Sequence, residues 1–276
     1  MRLPEAWIIS VGNELLNGRI VNTNLSWLAR KLTIDGYLVR AAIAVRDDCN
    51  DIVWAFRTAL DRGADLVIST GGLGPTFDDK TSECLSKALG RRHVVNEEAL
   101  RMVEEKYRER NLPMTEHRVK MAMMPEGAEP IKNEVGTAPG ILVRERDALI
   151  IVLPGVPKEM KDIFERVEPL IRERAPPLHY VSKDLVVRGV PESAAAPLIE
   201  RVMKEFPVYI KSHPHGHEIR KPVLKINITA SSPEGDEAER IVEAALEKLK
   251  DLLIEEGGEV EGIEDAEQGE ADSSRP

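Results

Sequence analysis

The chain has 276 residues, 42% of them apolar and 31% charged, enough to bury one large core and one smaller one and unlike a disordered or fibrous composition. Forty-eight acidic side chains against 38 basic ones give a net charge of −10, which argues against the basic footprint of a non-specific nucleic-acid binder. No run reaches the roughly 18 apolar residues of a membrane span, and Met1 to Trp7 lack a signal core, so no membrane partner is expected.

Taken in chain order, short apolar runs alternate with amphipathic stretches through the first half, the pattern of an α/β fold with a mostly parallel sheet flanked by helices. Strands are predicted at Trp7 to Val11, Leu38 to Val45, Asp65 to Ser69, Gly140 to Arg144 and Ala148 to Leu153. Helices are predicted at Asn22 to Ile34, Cys49 to Arg62, Asp78 to Leu89, Asn96 to Arg110, Thr115 to Met123 and Pro157 to Arg174. The nearly continuous apolar runs at 65–69 and 148–153 should be central strands, covered on both faces.

Ala175-Pro176-Pro177 is a stretch no helix continues through, and it closes a first domain of residues 1–175. Residues 180–256 read as a small α+β domain. It has a strand at Lys183 to Gly189, a helix after Pro191 running to Glu205, strands at Val208 to Ser212 and Val223 to Ala230, and a long helix from Pro233 to about Glu256. Gly257-Gly258 signals a helix C-cap, and the acidic remainder of 257–276, with Glu259, Glu261, Glu264, Asp265, Glu267, Glu270 and Asp272, is expected to be disordered. Cys49 and Cys84 have neither redox nor zinc spacing. They read as small core residues in a reducing compartment, which makes the cytoplasm the expected location.

The strongest chemical signal is Ser69-Thr70-Gly71-Gly72-Leu73-Gly74-Pro75-Thr76-Phe77-Asp78-Asp79-Lys80-Thr81, between a buried strand and a helix. Such a turn presents backbone N–H groups to an anion, and the helix dipole favours phosphate. Asp78 and Asp79 beside a phosphate are repulsive unless a divalent cation such as Mg²⁺ lies between them. The alternative is a glycine turn with Asp78 as the helix N-cap and Asp79 in its first turn. A second constellation, Gly12-Asn13-Glu14-Leu15-Leu16-Asn17-Gly18 with Asn22-Thr23-Asn24, follows the first strand, and both loops should open into one crevice beyond the carboxyl ends of the strands. Glu14 is a candidate metal ligand or base; Asn22 and Asn24 are candidate substrate contacts or an N-cap.

Asn133-Glu134-Val135-Gly136-Thr137-Ala138-Pro139-Gly140 comes next, then Leu153-Pro154-Gly155-Val156-Pro157-Lys158-Glu159-Met160, a strand, a tight turn and a helix start. Glu159 suits a catalytic role and a first-turn structural role equally. His213, His215 and His217 alternate with Pro214 and Gly216 and read as a surface hairpin loop in preference to a metal site.

Six motifs in order, the stretches at 12–18, 22–24, 71–81, 133–140 and 153–160 with Lys120-Met121-Ala122 between the glycine turn and Asn133, resemble the CinA family (competence/damage-inducible protein A) over residues 5–174. The resemblance implies a MogA/MoaB-like three-layer domain of the molybdopterin-binding (MoCF) type, then a small α+β KH-like domain. Bacterial members often continue into a nicotinamide-mononucleotide amidohydrolase domain; that domain is lacking here, so no deamidase activity is expected. It further implies a homo-oligomer and a metal-dependent nucleotide pyrophosphatase, a hydrolase of ADP-ribose or a related dinucleotide such as FAD, using Mg, Mn or Co.

In molybdopterin relatives a Gly-Gly-Thr-Gly turn leads to an aspartate associated with Mg²⁺ and phosphate, and Asp79 and Thr81 take the corresponding places. Leu73 replaces that threonine and Phe77-Asp78 the usual basic pair, which favours hydrolysis over pterin handling. On this reading Gly71, Gly72, Leu73, Gly74, Pro75 and Thr76 grip a phosphate with Thr81, Gly136, Thr137 and Gly155. Asp78, Asp79 and Glu14 hold the metal, Glu14 or Glu159 orients water, and Asn22, Asn24 and Asn133 meet ribose or base. The alternative is a protein that binds or adenylylates molybdopterin. A nucleic-acid partner is not expected, because no G-x-x-G loop occurs between residues 180 and 256.

Overall fold

Residues 2–215 and 222–265 are described by a computed structural model, in which the chain divides into two units, Met1–Pro176 and Pro177–Pro276. The first unit runs β1 (Glu5–Val11), α1 (Asn13–Leu16), α2 (Thr23–Ile34), β2 (Leu38–Val45), α3 (Cys49–Asp61), β3 (Leu66–Thr70), α4 (Thr81–Leu89) and β4 (His93–Val95). It continues through α5 (Glu97–Glu109), α6 (Glu116–Lys120), β5 (Met123–Pro125), β6 (Glu129–Ile131), β7 (Gly140–Glu145), β8 (Ala148–Leu153) and α7 (Pro157–Glu173). Strand order is β2-β1-β3-β8-β7-β6; β2, β1, β3 and β8 are parallel, and β7 runs antiparallel to both its neighbours. The two nearly continuous apolar runs, β3 and β8, are the central strands.

Alternation along each strand builds two cores. Trp7, Ile9, Val11, Val67, Ile150 and Val152 face one side with Ile52, Phe56 and Leu85 of α3 and α4. Ile8, Leu66, Ile68, Leu149 and Ile151 face the other with Leu28 and Leu32 of α2 and Met160, Ile163, Phe164 and Val167 of α7. The α7 positions recur at the helical period, so one stripe of it is buried. Asn22, Asp48 and Asn96 cap α2, α3 and α5 with their side chains. Asp35, after α2, has a fully buried carboxylate paired with Arg172 of α7 at 2.8 Å. Burial raises its pKa against the opposing pull of Arg172.

The second unit contains β9 (His179–Arg188), α8 (Glu192–Glu205), β10 (Tyr209–His215), β11 (Val223–Ser232), α9 (Gly235–Glu255) and β12 (Glu259–Asp265). Its antiparallel sheet has the order β10-β11-β9-β12, and Leu185, Val187, Leu224, Ile226 and Ile228 bury against Ile199, Val242, Leu246 and Leu249 of the two helices.

Several expectations are corrected. The helix predicted from Asp78 begins at Thr81, with Lys80 at its N-cap and no side-chain cap, so Asp78 and Asp79 stand in the preceding loop. The helix predicted to Met123 ends at Lys120, and Met123–Pro125 pair with β4. The tail is not disordered from residue 257, since Glu259–Asp265 pair with β9; residues 266–276 lie outside the described residues. His213 and His215 belong to β10, not to a loop; β10 is an edge strand, where Pro214 is tolerated. His217 lies outside the described residues.

Cys49 and Cys84 are not free core thiols but form a disulfide between α3 and α4, with Cα atoms 5.3 Å apart. Its sequence separation of 35 residues constrains the unfolded chain, for a stabilisation of about 3–4 kcal/mol on loop-closure grounds. Reduction and alkylation are therefore expected to lower the thermal midpoint measured by calorimetry. An unchanged midpoint, with mass spectrometry showing both thiols alkylated, contradicts that contribution.

Candidate functional site

Register brings the loops together. Ser10 pairs with Thr70 and Thr70 with Leu153, so β1, β3 and β8 end at one level. The loops after these strands, joined by those after β2 and β6, line a cleft of about 760 Å³ at the carboxyl ends of the parallel strands. At its centre, the Gly71 N–H donates to the Leu153 carbonyl at 3.0 Å. Gly71 has φ 98°, and a Cβ there would run into the Val11 carbonyl oxygen. Only glycine satisfies both conditions.

Of the sequence-predicted residues, Glu14, Asn22, Asn24, Gly71, Gly72, Leu73, Gly74, Pro75, Thr76, Asp78, Asp79, Gly136, Thr137, Gly155 and Glu159 all line this cleft. The glycine turn and the loop after β1 thus share one crevice. Thr81 and Asn133 do not line it. Thr81 is fully buried beneath Gly72, and its hydroxyl has no hydrogen-bond partner. Asn133 is 3% exposed, so the expectation that it meets ribose or base is corrected. Its Nδ2 donates to the Ala138 carbonyl and to Glu159 Oε2, both at 2.8 Å, and its Oδ1 accepts from Gly136 N–H at 2.6 Å. Asn133 therefore positions Glu159. Asn22 caps α2 through Oδ1 and donates to Ser10 Oγ at 2.8 Å, so both ends of its amide serve the loop.

Three carboxylates sit over glycines. A Cβ on Gly12 would lie 2.5 Å from Glu14 Oε1, one on Gly74 would lie 2.5 Å from Asp79 Oδ2, and one on Gly136 would collide with Glu159 Oε2. Thr76 organises the turn: its N–H donates to Asp79 Oδ2 at 2.9 Å, and its hydroxyl shares a proton between Asp79 Oδ2 and Asp78 Oδ1. Lys120 of α6 donates to the Thr76 carbonyl. The Thr76 hydroxyl holds Asp78 below the usual carboxylate range, helped by Lys120 and Lys80.

Sequence reasoning missed Asp47, which follows β2 and lines the same cleft. It accepts from Asn13 N–H at 2.8 Å. Burial raises its pKa despite that donor, and Glu14, Asp78 and Asp79 push it further in the same direction. Its position directly beyond a parallel strand was the available signal. Tyr107 and Arg110 at the end of α5 also line the cleft and had no local motif.

Among the described residues no group of three or more His, Cys, Asp or Glu side chains is arranged to hold a metal unaided. The donor set nevertheless suits Mg²⁺, which is commonly held by one or two carboxylates together with substrate phosphates and water. Glu14, Asp47, Asp78 and Asp79 form an all-oxygen acidic half of the cleft in which like charges oppose one another.

The model of a protein family described as "Probable molybdopterin binding domain" matches residues 7–173, which contain every loop of the cleft. The chain belongs to that family. The molybdopterin-binding-type domain is accordingly the first unit, an α/β domain with a mostly parallel sheet. A protein of Pyrobaculum calidifontis is 58% identical over 91% of this chain and 96% of its own length. One of Metallosphaera sedula is 44% identical over 95% and 99%. Both matches are longer than the first unit, so similarity extends into the second. Among solved structures, the protein CinA of Thermoplasma acidophilum, described as of unknown function, is 47% identical with a TM-score of 0.58. The match covers 60% of this chain and 98% of that one.

The glycine geometry separates fold from site. Gly71→Ala, which meets backbone at a positive φ, is expected to cost more than about 1 kcal/mol. Gly74→Ala meets only the Asp79 carboxylate, which must shift against its Thr76 donors, and should lower the thermal midpoint less than Gly71→Ala does. Calorimetry of the two variants checks this; equal destabilisation contradicts it.

Proposed function

We propose that this chain is a CinA-type, metal-dependent nucleotide pyrophosphatase that hydrolyses ADP-ribose or a related dinucleotide such as FAD. The observation that carries the reading is the meeting, in one cleft, of a glycine turn suited to phosphate with the carboxylates Glu14, Asp47, Asp78 and Asp79. Such a carboxylate set is repulsive toward a diphosphate unless a cation intervenes. Asp78 and Asp79, together with substrate phosphates and water, would hold a divalent metal ion, which when bound supplies charge neutralisation for the phosphoryl oxygens.

The chain's own residues supply the rest. N–H groups of Gly72, Leu73 and Gly74 in the turn hold one phosphate, where backbone dipoles oppose its charge. The Thr76 hydroxyl keeps Asp78 and Asp79 facing that phosphate. Asp47, with its raised proton affinity, accepts a proton from the attacking water, while Asp78, held ionised, stays an anionic ligand; environments that drive two carboxyls apart suit such divided roles. Water forms the new P–O bond, the bridging P–O bond breaks, and the bridging oxygen leaves with the other phosphate.

A second reading, binding or adenylylation of molybdopterin, is favoured by the family's own description. The residues argue for the first: Leu73 and the Phe77-Asp78 pair remove a hydroxyl and two cations from the turn and add a carboxylate.

The deciding experiment incubates chelator-stripped protein with ADP-ribose, FAD, NAD and CoA, with and without Mg²⁺, Mn²⁺ or Co²⁺, and resolves products by chromatography. AMP released from ADP-ribose or FAD only with metal is the expected result. Asp79→Asn, which keeps an acceptor for the Thr76 N–H and so keeps the loop, is expected to abolish release with an unchanged thermal midpoint. No AMP under any condition, together with calorimetric binding of molybdopterin, favours the second reading.

A further inference from the structure

The half of the cleft built by the loops after β8 and β6 carries a cluster that phosphate binding leaves unexplained. Asn24, at the start of α2, donates from Nδ2 to the Gly155 carbonyl at 2.8 Å. A carbonyl only accepts, so this contact fixes the amide orientation. Asn24 Oδ1 is then left buried at the cleft wall with no donor. Four residues on from Gly155, Glu159 accepts at Oε2 from Asn133 at 2.8 Å, and among the described residues no hydrogen-bond donor reaches Oε1. Asn133 is itself buried with its polar groups engaged, and Gly136 leaves the space that Glu159 Oε2 fills. The carboxylate is therefore held in place, with one oxygen left over.

Beside these two acceptors, Val135 and Val156 line the cleft with 53% of their surface exposed. A phosphate is repelled by Glu159, and a metal finds a single carboxylate here. What suits two spare acceptors flanked by apolar surface is a neutral group offering two hydroxyl donors on an otherwise flat, weakly polar body. A carboxylate receiving a ribose hydroxyl is an established way of reading a sugar in α/β folds.

We propose that Asn24 Oδ1 and Glu159 Oε1 accept the 2′- and 3′-hydroxyls of a ribose, with Asn133 and Gly136 positioning Glu159, so that the cleft selects ribonucleotides over deoxyribonucleotides. The proposal rests on the reading of the cleft as a nucleotide site. It assigns Glu159 to specificity and leaves water activation to the acidic half.

The test is equilibrium dialysis in Mg²⁺ with AMP, which has no diphosphate bond to cleave, against 2′,3′-dideoxy-AMP. Loss of hydroxyls from a site built to bond them is expected to weaken binding to the parent protein about tenfold or more. The isosteric Glu159→Gln variant is expected to bind both probes with nearly the weaker affinity, and to raise KM for ADP-ribose while kcat changes less than about threefold. Equal binding of the two probes by the parent protein overturns the proposal. So does a collapse of kcat at unchanged KM in Glu159→Gln, which would make that residue the water-activating group. If dinucleotides are cleaved but the diol is not sensed, only this station falls; if neither mononucleotide binds and no dinucleotide is cleaved, the nucleotide reading falls with it.

Discussion

The parallel pairing of β3 between β1 and β8 is the constraint on which the site depends. Because Ser10, Thr70 and Leu153 stand at matched levels, three chain segments leave the sheet together, and the carbonyls of Val11 and Leu153 converge on Gly71. The central strands are apolar on both faces and buried between two helical layers, so a one-residue slip in either pairing would expose a core face as well as scatter the loops. Stability of the domain and assembly of the cleft are thus one requirement.

On that frame the side chains divide into two groups. Nearest β2, β1 and β3 stand Asp47, Glu14, Asp78 and Asp79; burial raises the pKa of Asp47, and repulsion from the other three carboxylates adds to it. Nearest β8 and β6 stands Glu159, tied to a neutral amide and set apart from that cluster in sequence and topology. Glycines at 12, 74 and 136 leave room for a carboxylate tip in each case. The disulfide joins the start of α3, two residues after Asp47, to α4, five residues after Asp79, and so ties together the two segments that carry much of the acidic group.

Much of this was legible in the sequence because the signals were local. Apolar runs located β3 and β8, Asn22 marked a cap, and the Gly71 to Asp79 run marked a loop of the cleft. What was not legible depended on distance. Cys49 and Cys84 carry no spacing code; only α3 against α4 brings them together. Asp78 looked like an N-cap, yet its carboxylate is engaged by Thr76, and the helix starts at Thr81. Asn133 looked like a surface ligand because nothing local reveals that Glu159 and Gly136 enclose it. β12 was masked by its acidic composition, which an edge strand with one solvated face tolerates.

The central claim is that water cleaves a diphosphate held across this cleft, and the most direct measurement is the fate of oxygen. ADP-ribose would be turned over in H₂¹⁸O with Mg²⁺ and the products weighed by mass spectrometry. The account predicts one ¹⁸O in the phosphate of one product, AMP or ribose phosphate, and none in unreacted substrate. Recovery of all the ADP-ribose uncleaved, or cleavage that leaves both phosphates unlabelled, would contradict it.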